Sequence, residues 1–170
     1  MKNLKATILK VVIFAIAFAF VEASVVVYLR HLLGASYSEI GKGQILLLLP
    51  GIAFLQPDAA LKVIKDSALL NMEMFREGAT LVMLAAIACL ATKDFKKILA
   101  FSFLSFGIWD IFYYVFLKLT IGWPTSLTDQ DIFFLLPVPW VGPVFVPILI
   151  SLAVIVCSLI YLYKSKNLSE

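Results

Sequence analysis

The sequence has few charged residues and few of the side chains that bind transition metals. Charged residues make up 15% of the 170 residues and hydrophobic residues 62%, which excludes an ordinary water-soluble domain. One histidine and two cysteines are too few ligands for a bis-histidine haem, a four-cysteine zinc site or an iron–sulfur cluster. The net charge of +3 comes without a basic run, so nucleic-acid binding is not indicated. The composition instead predicts a membrane protein.

Four apolar runs predict one integral membrane domain over residues 1–170, an all-α bundle of four transmembrane helices. The spans are predicted at residues 11–29, 68–91, 98–119 and 144–163. With short connections they use most of the chain and leave no room for a separate soluble catalytic domain. The first run could instead be a cleaved signal peptide, because Val21-Glu22-Ala23 resembles a cleavage site. Its apolar character continues past that point, which favours a true span.

A fifth apolar run, at residues 45–55, is too short to cross a bilayer and contains Pro50-Gly51. It is predicted to lie at the extracytoplasmic interface or to re-enter the membrane. Pro57-Asp58 then predicts a helix start, with proline in the first turn and an acid near the positive end of the helix dipole. That helix could run unbroken to Ala91.

The basic residues predict the orientation of the bundle. With four spans, eight basic residues lie on the side of the N-terminus and five on the opposite side. Because cytoplasmic loops carry the excess of lysine and arginine, both termini are predicted to be cytoplasmic.

The most informative feature is a set of ionisable residues inside the predicted spans: Glu22, Glu73, Arg76, Glu77 and Asp110. Each costs roughly 2.5 to 3.5 kcal/mol at the bilayer centre, so five of them indicate a function. At about 1.5 Å per residue, all five lie in the outer half of a hydrocarbon core about 30 Å thick. We therefore predict one polar chamber that is reachable from the extracytoplasmic side.

Helical spacing arranges neighbouring polar groups toward the same chamber. Intervals of three and four residues place Glu73, Arg76, Glu77 and Thr80 on one stripe of the second span. Tyr113 and Tyr114 share the face of Asp110 by the same rule. Trp109 points roughly 100° away from Asp110 and is expected to face lipid. Gly78 and Gly107 are predicted close-packing positions between helices.

The charges of the chamber predict its ligand. Four carboxylates and one guanidinium would total −3 if all were ionised, and protons, a cation or water must relieve that charge. A cation or small ligand is therefore expected, and the predicted ligand-binding residues are Glu22, Glu73, Arg76, Glu77, Asp110, Tyr113 and Tyr114. Should a metal bind, its ligands would be Glu22, Glu73, Glu77 and Asp110, which favour a hard divalent cation such as magnesium, calcium or manganese.

The connection between the third and fourth spans is long and rich in proline, so it cannot form a regular helix. Its apolar run at 132–136 needs burial and is predicted to fold back onto the outer face of the bundle. Trp123 and Trp140 either anchor this segment among the lipid headgroups or form a lid over the chamber. Asp129 and Asp131 are predicted to cap the turn at 132–136.

Three functions fit this pattern. The first is a membrane protein that binds a cation or small ligand, as a component of a transporter. The second is an enzyme that uses carboxyl acid and base chemistry on a lipophilic substrate. The third is a structural or assembly subunit whose charges form a buried ion-pair network. The bundle could be complete alone, form a homo-oligomer or join a partner membrane subunit.

Four motifs carry a resemblance to known proteins: REGAT at 76–80, WDIFYY at 109–114, WP at 123–124 and PWVGP at 139–143. In these the chain resembles a group of small bacterial integral membrane proteins without assigned function. The resemblance implies a location in the bacterial cytoplasmic membrane and does not indicate an activity. A more limited similarity, at Gly107, Asp110 and Tyr113, is to the sterol-isomerase-like proteins of the EXPERA group. The chain departs from that pattern because its histidine lies elsewhere and its fourth span has no tryptophan.

Overall fold

A computed structural model describes residues 3–33, 45–56, 59, 64 and 66–167 of the chain. Within this part there are four long helices: α1 Leu4–Leu33, α2 Ser67–Ala91, α3 Phe95–Ile121 and α4 Phe145–Asn167. By length and composition, all four are able to cross a membrane. The prediction of a multi-pass helical membrane protein with four spans is therefore confirmed.

The chain is not all-α, because two connections between helices contribute strands. The described residues form β1 Ile45–Leu49, β2 Ile52–Leu55, β3 Gln130–Phe134 and β4 Trp140–Pro143. They make one four-stranded sheet in the order β1-β2-β4-β3, with every neighbouring pair antiparallel. The expectation of a wholly helical fold therefore needs correction.

The apolar run at 45–55 forms a β-hairpin in this sheet. Pro50 and Gly51 make the turn, and Gly51 has φ of +81°, a left-handed conformation that glycine adopts without strain. β2 then pairs with β4, opposing Ala53 to Val141. The hairpin and its pairing with β4 give hydrogen-bond partners to backbone N–H and C=O groups of this run. A single extended segment would leave those groups without partners.

The second span begins at Ser67, one residue from the predicted residue 68, but its helix does not extend further back along the chain as predicted. Asp66 has extended backbone angles and its carboxylate accepts hydrogen bonds from the backbone N–H groups of Ala68 (2.8 Å) and Leu69 (3.2 Å). It is therefore the N-cap of α2, and the helix starts at Ser67. Pro57 and Asp58, where the helix was predicted to start, lie outside the described residues.

Helix α3 is the centre of the bundle and packs against each of the other three helices. Small residues allow the close approaches. Ala15, Ala19 and Ala23 of α1 are completely buried. A Cβ on Gly107 would lie 2.7 Å from Ile155 of α4, so Gly107 is a close-packing position as predicted. A Cβ on Gly78 would make only an ordinary contact, at 3.8 Å with Leu136, so the same prediction for Gly78 is wrong. The outer faces of the helices stay apolar, as a lipid environment requires.

The sheet lies at one end of the bundle, where α1 and α3 end and α2 and α4 begin. The short α2–α3 turn, the start of α1 and the end of α4 are at the opposite end. A small cluster of Leu55, Ala59 and Val141 forms the core of the sheet. Leu135, just after β3, packs on Leu70 in the first turns of α2. The connection 122–144 therefore folds back onto the bundle.

Candidate ligand-binding chamber

A cavity of about 120 Å³ lies inside the bundle, in the half next to the sheet. Its walls come from α1, α2 and α3, and β3 and Leu135 contribute the side that faces the sheet. The structure brings together all the predicted ligand-binding residues around this cavity: Glu22, Glu73, Arg76, Glu77, Asp110, Tyr113 and Tyr114. Helices α1 and α3 run toward the sheet and α2 runs away from it. All three nevertheless place their polar groups at the same level of the bundle.

Arg76 joins two carboxylates on different helices. Its Nε and Nη2 donate to Glu73 Oε2 at 2.9 and 2.8 Å, and its Nη1 pairs with Glu22 Oε2 across the gap to α1. Thr80 Oγ1 donates to the second oxygen of Glu22 at 2.7 Å. Because α1 and α2 meet over few residues, this polar bridge is a main link between them.

Glu77 connects α2 to the segment that covers the cavity. Its Oε2 accepts a hydrogen bond from the backbone N–H of Leu135 at 2.8 Å. The bond spans 58 residues of sequence and satisfies a backbone donor that follows the end of β3. Glu77 therefore holds the cover of the chamber in place while its side chain still lines the cavity.

Asp110 is buried on α3 and receives a hydrogen bond from Ser151 of α4 at 2.7 Å. Ser151 is itself fully buried and was not identified from the sequence. Ser151 is one of two serines in the otherwise apolar run at 144–163, and that is the signal that could have revealed it, because buried hydroxyls in membrane helices pair with polar groups on neighbouring helices.

A second ion pair lies beside the first and was missed in the sequence. Asp131 of β3 is buried, pairs with Arg30 of α1 at 3.5 Å and accepts a hydrogen bond from Tyr114 at 3.0 Å. The guanidinium of Arg30 stacks over the ring of Trp123 at 4.0 Å. Arg30 follows Glu22 by about two helical turns, and that spacing was the available signal. The prediction that Asp131 caps the turn at 132–136 is wrong.

Asp129 has the capping role instead, although for a different turn. Its Oδ2 accepts hydrogen bonds from the backbone N–H of Thr125 (2.7 Å), from the Thr125 hydroxyl (2.8 Å) and from the backbone N–H of Ser126 (3.1 Å). These donors favour the ionised form and hold the pKa of the Asp129 carboxyl below its usual value. Asp129 therefore stabilises the turn at 125–129 and takes no part in the chamber.

Aromatic rings form much of the apolar wall. Trp109 is buried, lines the cavity and stacks on Tyr113 with ring centroids 6.1 Å apart. The expectation that Trp109 faces lipid is therefore wrong, because α1 and Phe134 of β3 cover the side of α3 on which it lies. Phe133 and Phe134 complete the wall on the side of the sheet.

The two tryptophans that were considered for a lid lie behind the wall of the cavity. Trp123 stacks against Tyr114, and Trp140 contacts Phe134 and Phe54. Neither is among the residues that line the cavity, and residues 132–135 contribute the covering surface. The tryptophans thus support cavity-lining rings from outside.

The described residues around the chamber carry more acidic than basic groups. Arg76 pairs with Glu22 and Glu73, and Arg30 pairs with Asp131. In the part of the chain that the structure describes, neither Glu77 nor Asp110 forms a salt bridge. No three His, Cys, Asp or Glu side chains among those residues are grouped so that they could hold a metal ion. The chamber can therefore accept positive charge without offering a ready-made metal cage.

The chain matches no protein-family model, no curated protein and no solved structure. The geometry and chemistry of the chamber are therefore the guide to what the protein does.

Proposed function

We propose that this protein binds a small cation in the chamber and serves as a component of a transporter. We place it in the bacterial cytoplasmic membrane, as its resemblance to small bacterial membrane proteins implies, with both termini in the cytoplasm. The excess of basic residues at the end opposite the sheet supports that orientation. The sheet and the chamber then lie on the extracytoplasmic side, within reach of ions from outside.

The observation that carries this proposal is the unbalanced pair of acids in the cavity wall. Glu77 and Asp110 line the same cavity, where the Leu135 N–H and the Ser151 hydroxyl, both uncharged donors, bind them. A carboxylate removed from water is costly unless a positive charge or a proton compensates it. Since both arginines near the cavity already pair with other acids, a bound cation is the compensation that we infer.

The test uses two variants that keep the local hydrogen bonds. Glu77→Gln still offers an oxygen to the Leu135 N–H, and Asp110→Asn still offers one to Ser151, so both bundles should stay folded. Purified protein in detergent is titrated with sodium, potassium, magnesium, calcium and ethylammonium chlorides at constant ionic strength. We expect at least one cation to raise the thermal unfolding midpoint of the wild type saturably, and each variant to lose that shift.

Asp129→Asn is the matched control, because it removes an acid whose oxygen is already satisfied by its own turn. It should keep the full response of the wild type. The proposal is refuted when no cation of the panel shifts the wild type, or when the shift survives in the double variant Glu77→Gln/Asp110→Asn.

One observation favours a second function, that of a structural or assembly subunit. Arg76 bridges α1 and α2 through Glu22 and Glu73, as a network that only fixes helix packing would do. That function predicts strong destabilisation by Arg76→Ala, partial rescue by removal of a paired acid, and no cation response. The titration above separates the two functions.

A further inference from the structure

We propose, resting on the function above, that the cation is a small protonated amine and that Tyr113 contributes the aromatic face against which it lies. Three features of the cavity wall lead to this ligand class: the spacing of the acids, the carboxylate oxygens without donors, and the aromatic rings.

The spacing of the acids does not suit a metal ion. Magnesium requires near-octahedral coordination and calcium takes six to eight oxygens at short range. Among the described residues, no three acidic, histidine or cysteine side chains come together in that way. An ammonium group has no such requirement, because one or two carboxylates at hydrogen-bond distance satisfy it.

Two of the carboxylates leave acceptors unused. Glu73 and Asp110 each bind their described partners through a single oxygen, Oε2 and Oδ2 respectively. The other oxygen of each receives no hydrogen bond from the residues that the structure describes. Neither oxygen is among the described polar atoms that are fully buried without a partner, so both reach accessible space in the cavity that these residues line. A protonated amine brings N–H donors and a positive charge together, which matches such oxygens.

The rest of the wall suits the carbon atoms of an organic cation. Trp109, Tyr113, Phe133 and Phe134 all line the cavity that holds Glu77 and Asp110. Aromatic faces attract organic cations and contact their alkyl groups, whereas an inorganic ion with a hydration shell gains less from them. The cavity, at about 120 Å³, is several times larger than the roughly 10–15 Å³ that a single water molecule needs on this measure. A short alkylammonium ion therefore fits.

The experiment compares ligands and side chains at Tyr113 by isothermal titration calorimetry on the full chain in detergent. The ligands are ethylammonium, tetramethylammonium, sodium and magnesium chlorides. Tyr113→Leu removes the aromatic face, and Tyr113→Phe keeps it as the matched control. Thermal unfolding of each variant without ligand verifies that the bundle is intact.

We expect ethylammonium to bind the wild type, Tyr113→Phe to bind it within about threefold, and Tyr113→Leu to bind it about fivefold or more weakly. Tetramethylammonium, which has no N–H donor, should bind at least about tenfold more weakly than ethylammonium. Equal affinity for the two would overturn the role given to the unused oxygens. Equal binding of ethylammonium by Tyr113→Leu and wild type would overturn the role of the ring.

The test also separates this inference from the proposed function. Binding of sodium or magnesium without binding of ethylammonium would overturn the amine and leave a cation-binding chamber. Failure of all four of these cations, and of potassium and calcium as well, to bind would overturn both.

Discussion

Replacing Arg76 with alanine is expected to lower the free energy of unfolding by about 3 kcal/mol. Removal of one partner from a buried ion pair costs about 3 to 5 kcal/mol, because the remaining charge stays buried without compensation. Glu22 and Glu73 are 5% and 6% exposed, and both would lose their cation. The low end of the range applies because the Arg76 side chain is 22% exposed and Thr80 still donates to Glu22.

The assay is reversible unfolding in mixed micelles, with the denaturing detergent as titrant and circular dichroism as the signal. A loss of about 3 kcal/mol corresponds to about a 150-fold change in the unfolding equilibrium. Arg76→Lys keeps the charge without the forked geometry and should fall between wild type and alanine. Lys96→Ala removes an exposed lysine at the opposite end of the bundle and should change stability by less than about 0.5 kcal/mol.

The double variant Arg76→Ala/Glu22→Gln tests the reason for the loss. If the stability is lost because Glu22 stays charged and buried without a partner, neutralising Glu22 should restore part of it. The effects of the two substitutions on the free energy of unfolding will then not be additive. This explanation would be refuted by a loss below about 1 kcal/mol for Arg76→Ala, which is typical of an exposed ion pair. Strict additivity of the two changes in the double variant would also refute it.

Two further predictions concern other parts of the bundle. Gly107→Ala should destabilise the protein by about 1 to 3 kcal/mol, because its Cβ would lie 2.9 Å from the Ser151 carbonyl oxygen as well as close to Ile155. Unfolding in denaturing detergent measures this loss. An unchanged unfolding midpoint would contradict the close packing of α3 and α4. The turn at 125–129 should open at low pH. Folding lowers the pKa of Asp129. The Asp129 carboxylate therefore stabilises the turn fully above the unfolded pKa of about 3.9, and this stabilisation is lost as the pH falls through the lower folded pKa. Amide hydrogen exchange of Thr125, corrected for the intrinsic effect of pH, should show this loss of protection in the wild type, whereas Asp129→Asn should give weak protection at every pH.

The sequence was sufficient for the helices and for five of the ionisable residues of the chamber. A bilayer imposes a length and an apolar composition on each span, so the four runs can be read directly. It also makes buried charges costly, which is why Glu22, Glu73, Arg76, Glu77 and Asp110 stood out. Their common depth followed from the rise per residue of a helix.

The sheet was not predicted, because its strands come from connections that are far apart in the chain. The run at 45–55 contains a Pro-Gly turn signal, yet a hairpin of this length is marginal until further strands pair with it. Those strands lie beyond α3. Gly142 permits the pairing, since a Cβ there would overlap the Gly51 carbonyl oxygen. That contact is invisible in either segment alone.

The sequence by itself determined which helices are long and apolar enough to cross a membrane and which charges they carry, because both follow from local composition and helical periodicity. Only the tertiary structure decided how those charges pair. Arg76 binds Glu22 and Glu73, Arg30 binds Asp131, and Glu77 binds the backbone of Leu135. Partner choice depends on the rotation of each helix and on the fold of the outer connection, and both are set by packing between segments distant in sequence.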